Sequence, residues 1–195
     1  MEFAAIDFET TGYENGGTNE PWQLGVAIVR DGVIVDGDGL SRCIKSSSGA
    51  IVLRDLTVTN GFLSAAAAEK YGSNYGAGIW VHANSQISNC VVRGCLVRAD
   101  AAGLEMGGAA IYCSADSVTV RDSVFEYNVT SNNYNNAPNG SAKVIGGAIY
   151  GGTHYNCQLS HNRAYLNRAN GYNNFDGGVG YGGSWYGCTF TSNAT

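Results

Sequence analysis

The sequence predicts an all-β fold: a parallel β-helix of about four to five coils over residues 38–195, preceded by a short β-hairpin segment. Three observations carry that prediction. A strand motif recurs as Arg54-Asp55-Leu56-Thr57-Val58, Ser88-Asn89-Cys90-Val91-Val92, Arg121-Asp122-Ser123-Val124-Phe125, Tyr155-Asn156-Cys157-Gln158-Leu159 and Tyr186-Gly187-Cys188-Thr189-Phe190. It puts Leu56, Cys90, Ser123, Cys157 and Cys188 in one column, at steps of 34, 33, 34 and 31 residues. A second motif keeps nearly the same step: Gly76-Ala77-Gly78-Ile79, Gly107-Gly108-Ala109-Ala110-Ile111, Gly146-Gly147-Ala148-Ile149 and Gly177-Gly178-Val179-Gly180. The third observation is composition, with 28 glycines against 2 prolines, asparagine and β-branched residues throughout, and only 64–70 looking helical.

Each element follows from these columns. Short alternating runs separated by glycine and asparagine turns form strands, and a fixed period stacks them coil on coil about 4.8 Å apart. The column Cys90, Ser123, Cys157, Cys188 then becomes an interior ladder, because a tight coil corner admits only small side chains. Asn60, Asn128, Asn162 and Asn193 recur just past the strand and read as corner residues that tolerate left-handed backbone and bond local amides. Helical repeats share a period in the low thirties, but they require amphipathic helices poor in glycine.

Four connections join one coil to the next glycine motif: Gly61 to Tyr75, Leu96 to Met106, Val129 to Ile145 and Arg163 to Asp176. They share one place in the repeat and project from one side. Their aromatics, Tyr71, Tyr75, Tyr134, Tyr165, Tyr172 and Phe175, lie among asparagines, a mixture suited to stacking on sugar rings and bonding hydroxyls. The alternative is a set of solvated, variable loops.

Charge and cysteine usage narrow the function classes. A net charge of -5 without clustered Lys or Arg argues against a nucleic-acid partner. The six cysteines have no zinc-ligand spacing. No apolar run approaches the length of a transmembrane helix, about 20 residues. The chain opens without the basic and long apolar regions of a signal peptide, so as written it reads as cytoplasmic.

Composition changes near residues 37–40. Upstream, Phe3 to Glu9 is an apolar strand interrupted by two carboxylates, and Leu24 to Val35 reads as two β runs around the turn Asp31-Gly32. Residues 1–37 therefore form a strand and a hairpin that cap the open first coil.

Gly146 to Ile149, Phe125-Glu126-Tyr127-Asn128 and Phe190-Thr191-Ser192-Asn193 resemble the paired GGA[ILV] and FxxN repeats of polymorphic outer membrane proteins and related bacterial β-helix proteins. Gly76 to Ile79, the 107–111 motif with its extra alanine, and Leu159-Ser160-His161-Asn162 are degenerate versions. The resemblance covers about four-fifths of the chain. It implies a right-handed, pectin-lyase-like solenoid from a secreted or surface-exposed protein used for adhesion or display, with carbohydrate or a surface protein as partner.

Ala5-Ile6-Asp7-Phe8-Glu9-Thr10-Thr11-Gly12, followed by Pro21 to Gly25, resembles the first motif of DEDD-type 3′-5′ exonucleases. The resemblance implies Asp7 and Glu9 as ligands of divalent metal, Mg²⁺ or Mn²⁺, in a ribonuclease H-like fragment. An ordinary hairpin with solvent-facing carboxylates is the alternative. The later acidic motifs are missing: His161-Asn162-Arg163-Ala164-Tyr165 is followed by Leu166 where an Asp is needed, and it lies in the repeat register. His82 and His154 fall beside the glycine motifs as exposed or packed residues.

The reading that emerges is a non-catalytic, adhesin-like β-helix module, a fragment or fusion. A truncated, inactive exonuclease-related protein is one alternative. A polysaccharide lyase or hydrolase is another, although Asp100, Asp116, Asp122 and Asp176 do not recur as a cluster.

Overall fold

In the computed structural model, which describes residues 8–9, 23–24, 32–46, 48–64, 74–99, 104–132, 143–166, 174–176 and 178–195, every regular element is a β-strand. Phe8–Glu9 pairs antiparallel with Gln23–Leu24. All other strands stack in parallel and form a right-handed β-helix. One coil runs through Glu105–Gly107, Ile111–Cys113, Thr119–Arg121, Val124–Glu126 and Val129–Asn132. The next runs through Lys143–Ile145, Ile149–Tyr150, Thr153–Tyr155, Gln158–Ser160 and Arg163–Leu166. Repetition of that path produces sheets of three, five, five, six and four strands.

The sequence columns are the strand registers. Val91 pairs with Thr57 and Val124, Gln158 with Val124 and Thr189, so the steps between coils match those of the repeat. The expected four to five coils are corrected to about three turns. The columns count strands of the six-stranded sheet, whereas among the described residues the remaining face has strands at three levels, Glu105–Gly107, Lys143–Ile145 and Asn174–Asp176.

The start of the solenoid also differs. Val33–Asp36 pairs in parallel with Leu56–Thr59 at the edge of the six-stranded sheet, so stacking begins upstream of the composition change. Of the hairpin expected over Leu24 to Val35, residues 25–31 lie outside the described residues.

Inward columns make the core. Ile44, Ile79, Ile111 and Ile149 stack in one, Leu53, Ile87, Val120 and His154 in another, and Val58, Val92, Phe125 and Leu159 in a third. Each is buried, and a fully buried Leu, Ile or Phe side chain contributes roughly 1.5–3 kcal/mol. The glycine motif lies where backbones approach. A Cβ on Gly107 would run into the Ile145 carbonyl of the next coil. Gly107 is thus the last residue of its strand, aligned with Ile145, and the motif proper is Gly108 to Ile111 in register with Gly146 to Ile149. The supposed extra alanine is an ordinary member of the column.

The corner assignment shifts by one residue. The left-handed column is Asn60, Gly94, Tyr127, His161 and Ser192, with φ between 53° and 63°. Asn128, Asn162 and Asn193 follow it and point inward, in register with Gly61 and Cys95. Asn162 Oδ1 accepts from the Asn128 backbone N–H at 3.0 Å and from Asn128 Nδ2 at 2.9 Å. Asn193 Oδ1 accepts likewise from Asn162, at 2.9 and 3.1 Å. Each Nδ2 also donates to a carbonyl: Asn128 to Val92 at 3.0 Å, Asn162 to Phe125 and Asn193 to Leu159 at 2.9 Å. The side chains complete backbone pairing that a corner would otherwise break.

Candidate functional site

The outer side of the sheet that carries the isoleucine column bears a second column, one residue on: Lys45, Trp80, Tyr112, Tyr150 and Tyr181. Strand pairing sets the ring spacing. Trp80 stacks on Tyr112 at 5.5 Å, Tyr112 on Tyr150 at 5.0 Å, and Tyr150 meets Tyr181 at 5.3 Å. These separations are typical of attractive aromatic pairs. The indole N–H of Trp80 is buried without a partner among the described residues.

Tyr75 ties this strip to the neighbouring three-stranded sheet. Its ring lies 5.0 Å from Tyr112 and 5.2 Å from Tyr150, and its hydroxyl donates to Glu105 Oε1 at 2.5 Å. Lys143 Nζ stands 3.9 Å from Glu105 Oε2, a solvent-exposed pair worth little by itself. Burial, then the Glu105 carboxylate, pushes the Tyr75 hydroxyl far above the usual phenol range. Burial also raises Tyr112 and Tyr150, so all three remain neutral donors at physiological pH.

The four connections are shorter than their sequence bounds. Leu96–Ala99, Val129–Asn132 and Arg163–Leu166 are stacked strands on the departing side, and Glu105–Gly107, Lys143–Ile145 and Asn174–Asp176 are stacked strands on the returning side. The strands on either side of each connection therefore form two fixed lines, the second beside the aromatic strip.

Tyr75 itself is not in a connection: it makes a parallel bridge to Gly107 and is 9% exposed. Phe175 belongs to a strand, paired with Val144. Asp7, Tyr71, Tyr134 and Tyr172 lie outside the described residues. So does Asp100, while Glu9 is in the strand paired with Gln23–Leu24. Tyr165 is exposed on a strand of the four-stranded sheet.

The small-residue column makes a tight corner. Cys90 Sγ, Ser123 Oγ, Cys157 Sγ and Cys188 Sγ each donate to the carbonyl two residues earlier, at 3.2, 2.7, 3.4 and 3.5 Å. Ser123 Oγ also accepts from the Cys90 N–H at 3.2 Å, and Cys188 Sγ from the Cys157 N–H at 3.4 Å. Burial raises the Cys90 and Cys113 thiols and pushes Cys157 up to about 11. These sulfurs are poor nucleophiles.

One residue before that column runs an outer ladder that sequence reasoning missed: Asp55, Asn89, Asp122, Asn156, all left-handed. Asn89 Nδ2 donates to Asp55 Oδ1 at 2.5 Å and Asn156 Nδ2 to Asp122 Oδ1 at 3.1 Å. Alternation gives each of these carboxylates an amide donor on a neighbouring rung. The signal was present in the aligned motifs, as Asp, Asn, Asp, Asn, Gly at one position. Asp122 is thereby accounted for by the corner, and among the described residues no group of three or more His, Cys, Asp or Glu could hold a metal ion.

His82 is exposed, whereas His154 is interior. His154 stacks on Trp185 at 4.2 Å, and its Nε2 lies 2.7 Å from the Gly151 carbonyl. No helix among the described residues is long and apolar enough to cross a membrane.

No known protein family, curated protein or solved structure matches this chain.

Proposed function

We propose that the chain is a non-catalytic binding module of an adhesin-like, surface-displayed β-helix, and that its ligand is carbohydrate. The observation that supports this reading is the outer strip Trp80–Tyr112–Tyr150–Tyr181, held at ring spacings of 5.0–5.5 Å beside the line where the connections return. A row of rings on a rigid sheet offers apolar faces for the C–H faces of successive sugar rings. Such a platform is ordered before binding, which lowers the entropic cost of association. The raised Tyr112 and Tyr150 hydroxyls stay protonated and can donate to sugar oxygens.

A panel of immobilised oligosaccharides tests the reading. The chain is retained by at least one of them, and replacing both Tyr112 and Tyr150 by Ala weakens retention about tenfold or more, equivalent to about 1.4 kcal/mol. Retention by none, or retention untouched in the double variant, would contradict it. Circular dichroism of the variant keeps loss of fold separate from loss of binding.

A further inference from the structure

We propose that Cys43 and Cys95 are a redox pair that closes a disulfide between adjacent coils when a low-molecular-weight disulfide such as glutathione disulfide oxidises them.

The two residues are far apart in sequence and meet across the narrow interior. Cys43 is in register with Gly78 of the next coil: its N–H donates to the Ala77 carbonyl at 3.1 Å, and that of Ile44 to Gly78 at 3.0 Å. Gly78 brings no side chain, and Cys95 Sγ fills the space it leaves. A Cβ on Gly78 would stand 2.9 Å from that sulfur. From the coil below, Cys43 Sγ is turned inward and lies 3.3 Å from the Thr59 carbonyl. Cys43, one rung below Gly78, thus faces Cys95 Sγ across this gap. Both cysteines are reduced here.

The pair is asymmetric. Cys43 is partly exposed, and the neighbouring Cys95 thiol holds its own below the ordinary range, against some burial. The same contact, with burial, drives the Cys95 thiol well above that range. The accessible Cys43 thiolate therefore reacts first. It attacks one sulfur of glutathione disulfide, forming a Cys43–glutathione bond, breaking the glutathione S–S bond and releasing a glutathione thiolate that takes up the proton Cys43 lost. Cys95 then gives up its proton and attacks the Cys43 sulfur, releasing the second glutathione. Two protein thiols are oxidised and one glutathione disulfide is reduced to two thiols. Cys95 is fully buried, so only the neighbouring Cys43 presents it with an electrophile.

Folded protein incubated with glutathione disulfide, then alkylated and digested with trypsin, gives a direct reading. Cleavage releases Cys43-Ile44-Lys45 and Gly94-Cys95-Leu96-Val97-Arg98, each with a single cysteine. The expected result is these two peptides joined by a disulfide that dithiothreitol reverses, together with a higher melting temperature for the oxidised protein. Cys43→Ser leaves Cys95 unmodified while the protein stays folded. Urea-unfolded chain, in contrast, scatters its disulfides among all six cysteines. If the folded wild-type chain lacks the 43–95 link, whether Cys43 ends as a glutathione mixed disulfide, unmodified or bonded elsewhere, the proposal is overturned.

Discussion

Asn162 does the work of a backbone neighbour at a corner where strand pairing changes direction. Its Oδ1 takes two donors from Asn128 and its Nδ2 serves Phe125 and Asn193, all inside the solenoid. Asn162→Ala leaves the buried Asn128 N–H without a partner and takes one donor from the Phe125 carbonyl, which keeps its pairing in the sheet. An orphaned buried group costs about 1–3 kcal/mol, so a loss of about 2 kcal/mol in urea-unfolding stability is expected. His154 makes a second residue-level prediction. Burial lowers its pKa, with the Gly151 carbonyl contact partly opposing, so the ring is neutral in the fold. Unfolded His binds its proton near pH 6.5, hence stability is full above that value and falls as pH drops toward the lowered folded value. The slope attributable to this residue is at most about 1.4 kcal/mol per pH unit and should vanish in His154→Phe, measured by unfolding between pH 5 and 7. The sequence showed that asparagine recurs at this corner, but not which way it points. A one-residue offset separates the left-handed Asn60 from the inward Asn128, and both are asparagines next to a strand end.

Strands and turns were the most legible elements, because the period of the columns is itself the pairing register. The glycine motif shows what period alone leaves out. Gly107 and Gly108 look interchangeable in the sequence, yet Gly107 sits against the Ile145 carbonyl in extended backbone while Gly108 is left-handed with φ 52°. Gly107→Ala is therefore a purely steric change, and it should destabilise by about 3 kcal/mol since the obstacle is backbone. Gly39→Ala is the contrast: φ is 66° but nothing lies within 4 Å, so only the left-handed penalty of about 1–2 kcal/mol applies. Thermal unfolding of the two variants should rank them in that order. The outer aromatic strip was hidden from sequence reading for a related reason. Trp80, Tyr112, Tyr150 and Tyr181 are separated in sequence and each looks like a strand residue next to a buried one; only register gathers them. Tyr75, which the sequence puts at the end of a connection, is buried beneath the strip's edge.

At the scale of the molecule, coils are repeated solutions of one problem: short strands bury an inward column, and corners satisfy their backbone with Asn, Ser or Cys side chains. Such a solenoid gains stability from neighbour to neighbour, so its levels differ. Phe125, covered on both sides, is fully buried; Phe190, in the last strand of the same column, is 50% exposed. The fold class was legible because every level repeats the same constraint. The extent was not, since Val33–Asp36 joins the stack without carrying the repeat motifs and the three-stranded sheet stops short of the six-stranded one. The central claim is the parallel, in-register stack, and nuclear Overhauser contacts in isotopically labelled protein test it most directly. The structure requires backbone contacts that link Val58 to Val92, Val92 to Phe125, Phe125 to Leu159 and Leu159 to Phe190 in the parallel pattern. Contacts between sequence-adjacent strands in the antiparallel hairpin pattern, or sequential helical contacts in these segments, would contradict it.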